Sequence, residues 1–108
     1  MIGIMIKPLS VNKAWQGRRY KTDEYKAFEK ALLLMLPNIE IPDGNLRLTF
    51  EFGFSNKLSD LSNPIKLVED IFQKKYGFND NRIFELIAKK KICSKGAEYI
   101  MFNIEATQ

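Results

Sequence analysis

Hydrophobic and polar positions alternate over residues 2–7, "IGIMIK", where Ile2, Ile4 and Ile6 point one way and Gly3, Met5 and Lys7 the other. That period of two predicts a strand, ended by Pro8. "SVNKAWQGRRYK" has no clean period and reads as an extended loop. Thr22 can cap the next segment, whose first turn carries Asp23 and Glu24, where the helix dipole favours acids. Tyr25, Phe28, Leu32 and Met35 then fall on one face at helical spacing, and Pro37 and Asn38 stop the helix. Asp43-Gly44 marks a turn. "LRLTFEFGF" is the clearest strand: Leu46, Leu48, Phe50, Phe52 and Phe54 share one face, Arg47, Thr49, Glu51 and Gly53 the other. A polar connector leads to a second helix from about Pro64 to Tyr76, with Gly77 suited to its C-terminal cap. Its core stripe is Leu61, Ile65, Val68 and Phe72. "RIFELIAKKKIC" and "EYIMFNIEA" read as two more strands joined by a turn at "SKG".

The order β-α-β-α-β-β predicts one α+β domain over residues 1–108, a small mixed four-stranded sheet with helices mostly on one face. The chain of 108 residues is long enough to bury a core without staples. Its single cysteine, Cys93, has no partner within the chain, which suits a reducing, cytoplasmic setting. No apolar run approaches the roughly 18 residues that span a bilayer. The first ten residues lack the charged start and cleavage site of a signal peptide.

Chemistry enters by elimination. There is no histidine, so histidine triads and histidine-based zinc sites are excluded, and one cysteine cannot build an all-cysteine site. Catalysis would rest on Asp, Glu, Lys, Tyr, Ser or a hard metal. The net charge of +4 permits an anionic partner without requiring one. Lys66 and Asp70 are neighbours at i, i+4, with Gln73 at i+7; an ordinary solvated pair of this kind is worth about 0.2–0.5 kcal/mol. Asp60 precedes the helix and is open to a capping role; Asp80 follows it and is open to the role of a loop acid or cap. A short helix holds its ends ~20 Å apart, so the two acids meet only if the "YGFND" turn folds back. Lys89, Lys90 and Lys91 lie on a strand, where neighbours alternate faces. Lys74 and Lys75 compensate a helix C-terminus. Trp15 suits core packing or base stacking.

"DLSNPIKLVEDIF" resembles the signature of the RusA-type Holliday junction resolvases, Asp-x-Asp-Asn-x-x-Lys-x-x-x-Asp-x-Leu followed by Gly-aromatic-x-Asp. Asp60, Asn63, Lys66 and Asp70 match, Phe72 takes the Leu position, and "YGFNDNRI" places Asp80 at the following acid. "PLSVNKAWQGRRY" is similar to the family's N-terminal Pro-x-Ser-x-Asn stretch and basic loop. The resemblance implies a homodimeric, Mg²⁺-dependent (or Mn²⁺-dependent) endonuclease that hydrolyses phosphodiesters in branched DNA, of a kind common in phage. It implies catalytic roles for Asp60, Asp80, Lys66 and Asp70, and metal ligation by Asp60, Asp80 and Ser62. It places Asn12, Lys13, Arg18, Arg19, Lys21, Lys57 and Lys66 on DNA. Ser62 departs from the pattern, standing where the family has its second aspartate. That substitution also admits a weakened or inactive DNA-binding relative.

Overall fold

The computed structural model describes residues 1–17 and 20–108, apart from the side chains of Val11 and Asn12. Strand β4 (Leu46–Phe54) is the centre of the molecule, and its alternation is realised: all five residues of the apolar face are buried. β6 (Tyr99–Ala106) runs antiparallel to it, with Phe50 opposite Phe102 and Phe52 opposite Ile100. β1 (Ile2–Ile4) is antiparallel to β6 on the outside. On the other side of β4 lies β5 (Ile83–Ile92), parallel to it. The order is β1-β6-β4-β5, the mixed α+β sheet expected from the sequence. A parallel pair requires a crossover, and helix α3 (Ile65–Tyr76) supplies it between β4 and β5.

Helix α2 (Asp23–Met35) starts at Thr22, whose hydroxyl accepts from Tyr25 N as expected. Tyr25, Phe28 and Leu32 are buried; Met35 is not, and Leu36 just past the helix closes that end of the core instead. In α3 the buried face is Leu67, Val68, Ile71 and Phe72, with Leu61 and Ile65 packed at its margin. Gly77 ends α3 in the left-handed region at φ 73°, which only glycine adopts without strain. Phe72 is the hub of the core, with ring centroids 4.6 Å from Phe102, 5.6 Å from Phe50 and 5.9 Å from Tyr76.

Two segments differ from the periodicity. The first strand stops at Ile4, because Ile6 N turns back to donate to Ile4 O. The presumed loop after Pro8 contains a one-turn helix, α1 (Val11–Ala14), and a small hairpin of β2 (Trp15–Gln16) and β3 (Tyr20–Lys21). Elements this short complete no hydrophobic period. They are held by tertiary contacts: Thr22 donates from its hydroxyl to Lys13 O at 2.6 Å and from its amide to Ala14 O at 2.9 Å. Trp15 stands edge-on to Tyr25 with centroids 5.4 Å apart, yet stays 38% exposed.

The sheet face away from the helices is polar but ordered. Tyr99 lies across Gly53 and donates to Glu51 Oε2 at 2.7 Å. A Cβ on Gly53 would sit 2.3 Å from the Tyr99 ring. Gly53→Ala is therefore expected to displace the ring and cost about 1–3 kcal/mol, the usual range for overpacking. Urea unfolding measures that loss. The hydrogen bond to Glu51, with burial, pushes the Tyr99 phenol up to about 12, so the same variant should return it toward its ordinary value in an absorbance titration.

Candidate functional site

α3 begins without a side-chain cap. Pro64 occupies the cap position with helical backbone angles, and the preceding turn is held by Asn63 N donating to Asp60 O and Ile65 N to Ser62 O, both at 3.3 Å. Neither Asp60 nor Ser62 serves as the helix cap through its side chain. Pro64 explains this locally: it has no N–H to satisfy and its ring already suits the first turn.

The far end of the helix produces the convergence that spacing left open. The chain reverses after Gly77 and forms a 3₁₀ turn over Asp80–Arg82, capped by Asn79 Oδ1 accepting from Asn81 N. Arg82 ties this turn to the carbonyls of Pro42 and Gly44. Asp80 is thereby returned to α3, where Lys66 Nζ stands 3.3 Å from Asp80 Oδ2 and 3.2 Å from Asp70 Oδ1. Gln73 completes the arrangement. Its Oε1 accepts from Asp80 N at 3.0 Å, and its Nε2 approaches Asp70 Oδ1 at 3.5 Å. The hydrogen bond to Asp70, with a further one to Asp80, raises the Lys66 pKa against partial burial. Burial pushes the Glu69 carboxyl up beside this group, and nearby Lys66 offsets part of that. Tyr25, beneath, is raised to about 12 by burial and by the charges of Asp70 and Glu29.

Asp60 takes no part in these contacts. It lines a groove of about 430 Å³ with Asn63, Lys13, Lys7, Glu24 and Glu98, among others. Lys66, Asp70, Asp80 and Ser62 are not among the described residues of its walls. The loop leading to Asp60 is pinned from β5: Lys90 Nζ donates to the carbonyls of Lys57 and Ser59, each at 2.6 Å. Asn56 Oδ1 accepts from Leu58 N in the same loop. Ser62 is exposed. Among the described residues, no group of three or more acidic or cysteine side chains gathers as a cation site.

The expected DNA contacts divide. Lys13 and Lys57 are exposed near the Asp60 side, and Lys66 is 60% exposed. Lys21 is instead bound to Glu29 at 3.1 Å and lies 5.0 Å over the Tyr25 ring. Lys74 reaches the same Glu29 at 3.1 Å, so both lysines knit the hairpin and the helices together. Arg18 and Arg19 lie outside the described residues, as does the side chain of Asn12.

Gln73 and Lys90, which lie outside the motif, hold backbone at or next to its residues. Gln73 carried a signal, since it shares a helix face with Lys66 and Asp70. Lys90 carried none, being one of three adjacent lysines until the parallel register turned it, unlike Lys89 and Lys91, to the helix side of the sheet. The chain matches no protein-family model and no curated protein.

The acid groups also set a pH range for stability. Burial pushes Glu29 up, but hydrogen bonds from Lys74 and Lys21 outweigh it and hold the carboxyl below its ordinary 4.5. Arg47 does the same for Glu85. A depressed folded pKa contributes stability that is whole above the unfolded value and lost as pH falls through the folded one. Tyr25 and Tyr99, raised to about 12, contribute stability that is whole below 10.0 and lost as pH climbs through their folded values. Glu69, raised by burial, works against the other two acids, its contribution being whole below 4.5 and lost as pH rises through its folded value. Urea midpoints should therefore fall clearly on the alkaline side and less steeply on the acid side.

Proposed function

We propose that the chain is a divalent-metal-dependent, structure-selective endodeoxyribonuclease of the RusA type, a cytoplasmic homodimer that resolves Holliday junctions. The observation that carries this reading is the convergence of Lys66, Asp70 and Asp80. Two separate pieces of the sequence motif meet on one surface, with Lys66 held between carboxylates and still open to solvent.

Asp80, brought to Lys66, would offer Mg²⁺ a hard carboxylate oxygen; Asp60 lines the groove and Ser62 is exposed, and among the described residues no contact brings either of them to Asp80. That ion commonly takes one or two carboxylates and completes its shell with water and phosphate. When bound, it supplies Lewis acidity toward a phosphodiester. The chain's own residues do the rest. Lys66 presents a cation where charge grows on the phosphate, and its hydrogen bonds to Asp70 and Asp80 set its direction. Gln73 holds the backbone of Asp80 while leaving its carboxylate free to exchange Lys66 for another cation. Lys13 and Lys57 meet the DNA backbone, a contact that carries affinity rather than sequence preference.

Ser62, in place of an acid, favours a second reading: a DNA-binding relative with weakened or lost cleavage. A synthetic four-way junction separates the two. Cleavage that requires Mg²⁺ or Mn²⁺ supports the nuclease. Salt-sensitive junction binding without cleavage under either ion supports the binding protein, and neither binding nor cleavage overturns both.

A further inference from the structure

Strand β5 ends the sheet and pairs only with β4 among the described residues. It is ten residues long and largely uncovered. Phe84 is 63% exposed, Leu86 46%, Ile87 42% and Ile92 55%. A long apolar edge is a template for another strand, and natural sheets protect such edges with charge, proline, bulges or a cover. Here the irregularity in register falls at the start, around Phe84, and the lysines gather at the far end. The stretch between them, Glu85–Lys89, runs regularly alongside β4 from Arg47 to Glu51.

That stretch, "ELIAK", is chemically self-complementary when reversed. We infer that β5 docks a second copy of this chain, edge to edge and antiparallel, with the two-fold axis at Ile87. A two-fold interface presents the same patch on both subunits, and adjoining edge strands related this way must run antiparallel. With the axis at Ile87, Glu85 of each copy meets Lys89 of the other. Leu86 meets Ala88, and Ile87 meets itself. Opposite charges and apolar side chains thus fall directly across from one another, the arrangement that stabilises antiparallel pairs. Moving the axis to Ala88 sets Leu86 against Lys90 and Ile87 against Lys89, burying apolar groups on ammonium stems. Moving it to Lys90 sets like charges together. Within Glu85–Lys89, the stretch in regular register, the Ile87 axis satisfies both faces of the strand, because β5 directs Glu85, Ile87 and Lys89 to one side and Leu86 and Ala88 to the other. Beyond it Phe84 falls opposite Lys90, whereas the Ala88 axis gains Glu85–Lys91 and Phe84–Ile92 pairs but loses the match at the centre. Lys89 also extends a network already present, since Glu85 accepts from Arg47 at 2.6 Å and from Thr107 at 2.9 Å. The product is one continuous sheet across both copies, with β5 next to β5.

This specifies the interface for the two-copy assembly of the proposed nuclease, but it stands on the strand itself. Its test uses neither DNA nor metal, so its failure is read separately from a failure of cleavage. Sedimentation of the full chain from low to high micromolar concentration should show a monomer–dimer equilibrium. Ile87→Lys, which sets two like charges on the axis, should weaken it at least tenfold, and Lys89→Glu should weaken it by a similar factor. Both side chains are exposed, and circular dichroism checks that the fold is kept. In a Cys93→Ser background, Ile87→Cys should form an intermolecular disulfide on mild oxidation, since residues paired across the axis lie within disulfide reach. Ile92→Cys should not. A wild-type chain that stays monomeric, a dimer indifferent to Ile87→Lys, or crosslinking at Ile92 rather than Ile87 would each overturn the inference.

Discussion

Asp80→Asn is expected to abolish metal-dependent cleavage of a four-way junction, by about a hundredfold or more, while leaving the protein folded. The backbone amide of residue 80, not its carboxylate, is what Gln73 holds, so the 3₁₀ turn survives the change. The lost ion pair with Lys66 is exposed, 60% on the lysine and 46% on the aspartate. Such pairs contribute about 0–1 kcal/mol. Stability and activity are therefore separable at this residue. Asp60→Asn should behave alike, because Asp60 lines a groove and caps nothing through its side chain. Junction binding should hold or tighten in both variants, since each removes a negative charge near phosphate. The measurement is single-turnover cleavage beside a gel-shift titration. Binding lost together with cleavage would assign these acids a structural role and defeat the proposed chemistry.

Phe72→Ala should have the largest effect on stability. Phe72 is fully buried and touches Phe50, Phe102 and Tyr76, joining α3 to the two central strands. Truncating a buried phenylalanine costs about 3–5 kcal/mol through lost transfer energy and the cavity left behind. A domain of this size holds only about 5–15 kcal/mol in total. The variant should thus unfold at much lower urea, and near the bottom of that range it would be partly unfolded in buffer. Phe72→Leu, which keeps most of the apolar contact, should lose less. Equal and small losses in the two variants would mean that the cluster does not organise the core. Because α3 carries Lys66 and Asp70 on its outer side, any loss of activity in Phe72→Leu should follow the unfolded fraction and not the chemistry.

Much of the fold was legible because it is written within single elements. Alternation from Leu46 to Phe54 determines which face of β4 is buried, whatever surrounds it. Helical spacing and the punctuation of Thr22 and Gly77 determine α2 and α3. The i, i+4 spacing alone makes Lys66 and Asp70 neighbours. Periodicity is silent where an element is shorter than its own period, as in α1 and the β2–β3 hairpin, whose form depends on Thr22 holding Lys13 and Ala14.

The site itself needed tertiary structure. Asp80 reaches Lys66 across fourteen positions of chain only because α3 ends in a left-handed glycine, the turn after it is fastened by Arg82 to the segment before β4, and Gln73 grips its amide. Asp60 takes its place because Lys90, on a parallel neighbour strand, fastens the loop before it. The sequence names these side chains and bounds their chemistry to carboxylates and a lysine. Which of them meet is decided by the crossover and the strand register, because a hydrogen bond between distant segments depends on where packing brings two backbones, and no local spacing records that.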